Sequence, residues 1–261
     1  MSVLHFERPN GELVIHGWCV DTMRAASELG NALVDSGPQD VEIDFAGYRA
    51  HLEARPAPRG RYTRFWPPAH WLRPPKLPLL VDYENASWLI ERHFQAPLPL
   101  AVGLFYRTGQ PYFEYLLTRH EPGALKIATV LAGEGAAGRL ALAREAAAEL
   151  GRMHALGFRY RRLTDRSLLA LPPGHGRRLL FRATRGGSTG SRGFAGGGLW
   201  PDPGERDLAQ LLELGLFTDR ESKELIEEYH RSRATQDRPL RHPASARRLA
   251  RARAQITRAS G

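Results

Sequence analysis

Residues 153–169 read MHALGFRYRRLTDRSLL, and this stretch decides the fold. It opens as the end of a helix, because residues 139–156 are rich in alanine, leucine, arginine and glutamate, the composition that most favours helix. Gly157 and Phe158 follow, then a charged loop holding Arg161, Arg162, Asp165 and Arg166, then an apolar run at residues 168–171. The order is helix, loop, short strand.

Outward from this point the chain divides. Downstream lie a second short apolar run at residues 179–181, a glycine-rich segment at 186–198, and helical patterns at 205–214 and 220–232. Upstream, residues 12–15, 41–45, 48–54 and 61–66 read as short strands, and residues 22–35 as an amphipathic helix with Met23, Ala26, Leu29 and Leu33 on one side. Prolines crowd residues 66–78 and forbid a regular element there, so a helix is expected again only over residues 81–93. Strands at 100–106 and 112–118 flank the turn Thr108, Gly109, Gln110, Pro111. The expected organisation is a β-rich first lobe at residues 1–119, a helical lobe at 120–235 and a basic tail at 236–261.

The 261 residues are 42% hydrophobic and 25% charged, which is ordinary usage for a folded chain and argues against wholesale disorder. Lysine and arginine number 37 against 28 acids, a formal charge of +9, which favours an anionic partner. Much of that excess lies in residues 231–258, read as a solvated basic tail more than a nucleic-acid arm. One cysteine, Cys19, excludes an internal disulfide and a cysteine-based metal cluster, and it fits a reducing compartment. The first dozen residues carry charges and turn formers without an apolar h-region, and no stretch has about 18 consecutive apolar residues. Cytoplasmic residence, with at most peripheral contact to an anionic inner-membrane surface, is the expectation.

Met153, His154, Ala155, Leu156, Gly157 and Phe158 resemble the end of a protein-kinase helix, and residues 160–169 match the spacing of the catalytic loop H-R-D-L-x-x-x-N with its following strand. Asp82, Tyr83, Glu84 and Asn85 resemble the start of the helix carrying the lysine-partner glutamate, and residues 97–101 the strand entry after it. Arg206, Asp207, Leu208 and Ala209 match a buried helix start of the lipopolysaccharide core (Kdo/heptose) kinases. The resemblance covers roughly residues 40–232 and implies an α+β, protein-kinase-like bilobal fold. In its register Arg162 stands at the catalytic aspartate, Ser167 at the magnesium-binding asparagine and Arg182 at the D-F-G aspartate, while Arg64 and Glu84 correspond to the ATP lysine and its partner. The first lobe lacks a G-x-G-x-x-G loop after a strand, and the 186–198 segment lacks a G-K-[ST] ending.

These departures oppose metal-dependent transfer. An arginine about 5 Å from a divalent cation repels it by roughly 6 to 7 kcal/mol at an effective dielectric near 20, and arginine does not deprotonate. Asp165 has two readings: a solvated loop residue paired with Arg161 or Arg166, which is favoured, or a carboxylate substituting for the missing base. Arg162 and Arg182, if convergent, form a cationic notch for a metal-free nucleotide or an acidic partner; facing water or Asp207 is weighed equally. The ten histidines show no ligand spacing, so no metal is expected. The expected cofactor is none, or ATP without magnesium. Three functions follow: a pseudokinase acting as a binding or regulatory module, an active kinase on a lipopolysaccharide core sugar, or a basic adaptor at an anionic membrane or nucleic acid.

Overall fold

The computed structural model describes residues 2–58, 77–160, 163–172, 178–182, 188–189 and 203–234. Two compact units divide the chain, the first from residues 1–92 and 96–122, the second from 93–95 and 123–261.

The first unit is a six-stranded antiparallel sheet with a helix on each face. Its strands are β1 (Ser2–Arg8), β2 (Gly11–Gly17), β3 (Gln39–Phe45), β4 (Tyr48–Pro56), β5 (Pro99–Arg107) and β6 (Gln110–Arg119), in the order β1-β2-β5-β6-β4-β3. Helix α1 (Val20–Ser36) joins β2 to β3, and α2 (Pro78–Glu91) precedes β5. Successive side chains on a strand point to opposite faces, which explains two separate cores. Met23, Ala26 and Leu33 of α1 meet Leu13, Ile15, Leu52, Ala101 and Tyr115. Leu79 and Tyr83 of α2 meet Val14, Val102, Leu104 and Leu116 on the reverse face.

The α1 face is closed by a tight fit. Tyr115 lies over Gly103, its partner across the β5–β6 pair, and donates its hydroxyl to the Ala26 carbonyl on α1. A methyl group at Gly103 would sit 2.1 Å from that ring.

Two differences from the sequence reading have physical causes. β1 was not expected; its apolar residues Val3, Leu4 and Phe6 keep no strict alternation with the polar ones, and pairing with β2 over its whole length makes it a strand. Helix α2 begins at Pro78, not after it, because proline is tolerated at the first helical position, where its missing N–H would be unpaired anyway. The expected strand at residues 61–66 lies outside the described residues.

The second unit is mainly helical: α3 (Ile127–Gly133), α4 (Ala136–Ala155), α5 (Pro203–Glu213) and α6 (Asp219–Ala234). Two small sheets accompany them, one of β7 (Leu125–Lys126), β9 (Leu168–Ala170) and β10 (Leu179–Phe181), the other of β8 (Phe158–Arg159) with β11 (Ser188–Thr189). Helices α4 and α6 approach closely at Gly151, where a Cβ would meet the Tyr229 carbonyl at 2.8 Å. Arg139 of α4 grips Glu221 of α6 through both carboxylate oxygens, at 2.8 and 3.0 Å, and holds that carboxyl below its ordinary range. Among the described residues no helix is long and apolar enough to cross a membrane.

Candidate functional site

The loop after α4 is fixed by α5. Asp207, fully buried in the second turn of α5, accepts the Tyr160 backbone N–H at 2.7 Å, and Gln210, one turn further, accepts that of Leu163 at 2.7 Å. Residues three or four apart share a helix face, so one face of α5 grips the loop on both sides of residues 161–162.

The same Asp207 oxygen takes a second bond, from His154 Nε2 at 3.1 Å, and His154 Nδ1 meets the Tyr229 hydroxyl at 2.8 Å. A carboxylate only accepts, so Nε2 carries the proton and Nδ1 accepts from Tyr229. Tyr229 accepts in turn from Arg233 Nη1 at 3.1 Å. The chain therefore runs Arg233, Tyr229, His154, Asp207, and it requires a neutral imidazole. Burial pushes His154 down to about 4, with Arg159 and Arg233 adding in the same direction against the Asp207 contact. Gly204 completes the packing, since a Cβ there would lie 2.7 Å from His154 Nδ1.

Beyond Leu163 the loop folds into a tight turn. Ser167 donates its N–H to the Thr164 carbonyl at 2.9 Å, while the Ser167 hydroxyl accepts the Thr164 N–H at 3.0 Å. Asp165 and Arg166 are the two central residues of this turn and are exposed. Ser167 is fully buried, and its carbonyl accepts the N–H of Arg182 at 2.9 Å. Arg182 directly follows β10 and is half-buried.

The second unit thus brings three sequence-derived positions together: Ser167 and Arg182 adjoin through the backbone, with Asp165 two residues before Ser167. Glu84 lies half-buried on α2 of the first unit. Arg162 and Arg64 lie outside the described residues, as do Arg161 and the segment 190–200. Among the described residues no group of three or more histidine, cysteine or acidic side chains could hold a metal ion.

The first unit contains a polar pair that sequence reasoning missed. Arg55 of β4 donates Nε to Glu114 Oε1 of β6 at 2.8 Å, and Glu114 Oε2 accepts the Leu79 N–H at 2.9 Å. Leu77 provides no side-chain cap to α2, and Pro78 has no N–H, so Leu79 offers the first unpaired donor of the helix. Glu114, fully buried, fills that role from another strand and places a negative charge at the positive helix end. The available signal was Glu114 itself, a single carboxylate within the apolar strand sequence YFEYLL at residues 112–117. Strand β4 precedes α2 and pairs with β6, and Glu53 and Arg55 occupy its α2 face, opposite Leu52 and Ala54.

A solved structure of WaaP in complex with acyl carrier protein matches with a TM-score of 0.60 over 94% of this chain and 96% of that one, at 15% identity. The fold is kinase-like. No family model matches the sequence, and no curated protein does. At this identity the kinase-like likeness carries the fold, and the chemistry must be argued from the residues themselves.

Proposed function

We propose that this chain is a catalytically deficient relative of the lipopolysaccharide core-sugar kinases that acts as a binding or regulatory module. The observation that carries the reading is the pair Ser167 and Arg182. In the kinase register these are the two magnesium-ligand positions; one is a neutral hydroxyl already accepting the Thr164 N–H, the other a permanent cation. Arg162, at the position of the catalytic base, adds a second cation to the same register. Such a site suits a phosphate or carboxylate without metal, presented by a nucleotide or by an acidic partner. The WaaP structure, a complex with acyl carrier protein, gives a precedent for a protein partner on this fold.

Thermal melting with ATP, with ATP plus magnesium, and with neither tests the reading. A ligand at 100 times its dissociation constant adds about 2.7 kcal/mol. A shift without metal supports the cationic notch, and no shift points to a protein-binding module. A shift that requires magnesium overturns the proposal in favour of an active kinase on a core sugar, in which Asp165→Ala abolishes phosphotransfer. Binding to anionic vesicles that disappears when the chain is cut after Asp237 favours the basic adaptor.

A further inference from the structure

We infer that the outer edge of β1 is a self-association surface, on which a second copy of this chain adds its own β1 antiparallel about a twofold axis through His5. This inference is independent of the kinase reading. The sheet has two edges, and they differ in kind. Edge strand β3 carries exposed Asp40, Glu42 and Asp44, acids that oppose pairing with a like strand. Edge strand β1 carries instead one acid, Glu7, and one base, Arg8, whose opposite signs do not exclude a like strand. It is seven residues long, pairs with β2 in unbroken register from Ser2↔Gly17 to Arg8↔Gly11, and contains no proline or bulge. Among the described residues no strand pairs with its outer backbone groups, which form a ready template for another strand. The α1-side core also remains open here, because Leu4 and Phe6 pack against it yet stay only partly buried.

The sequence of β1 selects the occupant. In an antiparallel pair centred on His5, Leu4 of each copy faces Phe6 of the other, joining the two α1-side cores. On the reverse face Val3 meets Glu7 and His5 meets its twin; Ser2 meets Arg8. Glu7 and Arg8 never oppose themselves, and each His5 is already paired with Glu12 of its own strand pair. The axis stands perpendicular to the sheet, so one continuous sheet runs through both subunits with α1 on the same side in each.

Sedimentation velocity from low-micromolar to near-millimolar concentration tests this with two variants of Val3, which is 41% exposed. Val3→Asp places a carboxylate opposite Glu7 twice per dimer and raises the dissociation constant about tenfold, each cross-strand pair contributing a few-fold. Val3→Lys forms two opposite-charge pairs with Glu7 and lowers it. His5→Lys keeps the Glu12 contact but sets like charges across the axis, and it weakens association as Val3→Asp does. A protein that stays monomeric over the whole range overturns the inference. So does a dimer whose dissociation constant moves in the same direction for both Val3 variants, or not at all.

Discussion

Acid stability is the sharpest consequence of the buried chain through His154. Its ordinary value of 6.5 is pushed down to about 4 by burial. The folded protein therefore resists a proton that the unfolded chain accepts. Stability from this group is fully present above about pH 6.5 and is lost as pH falls toward 4. A difference of between two and three pH units corresponds to about 3 kcal/mol in total, and lowering the pH from about 7.5 to 5 removes about 2 kcal/mol. The assay is urea unfolding across that range for the parent and for His154→Gln, which has no group titrating there. The variant is less stable at neutral pH, because the bonds to Tyr229 and Asp207 are altered, but its deficit shrinks by about 2 kcal/mol on acidification. Parallel loss in the two proteins would refute both the neutral tautomer and the hydrogen-bond directions derived from it.

Two other substitutions probe the first unit. Glu114→Gln leaves the guanidinium of Arg55, only 15% exposed, with Glu53 at 3.1 Å as its remaining carboxylate, and about 1 to 3 kcal/mol of stability is lost; adding Arg55→Met recovers part of it in a urea melt, and no recovery would mean that Arg55 and Glu114 are not a coupled unit. Gly103→Ala drives a methyl group into the Tyr115 ring and costs about 1 to 3 kcal/mol, with loss of the Tyr115 contact to Ala26 visible as faster amide exchange in α1.

How much of this was legible depended on where each residue's partner lies. Helix α4 was readable within a few residues because alanine-rich composition acts locally. The α1 stripe of Met23, Ala26 and Leu33 was equally readable, since periodicity alone defines it. Strand β1 was not, because only its pairing with β2 makes it regular. The kinase-like class followed from element order around residues 153–169, while the bonds that hold the loop did not: Asp207 is 47 residues from Tyr160, and Arg55 is 59 from Glu114. Composition shows that a buried acid needs a partner, but it does not name one. The same limit applies to Ser167, whose hydroxyl is engaged by Thr164 only because the turn closes.

The cap on α2 bears on how this chain can vary. Most helices depend for their first turn on the residues just before them. Here the anchoring carboxylate arrives from β6, on the far side of the helix in sequence, and is itself held by β4. The start of α2 is thereby tied to the pairing of β4 with β6. Sequence change at Glu114, 35 residues beyond Leu79, therefore reaches the start of α2 directly, and β4, β6 and the helix can vary only in step with one another.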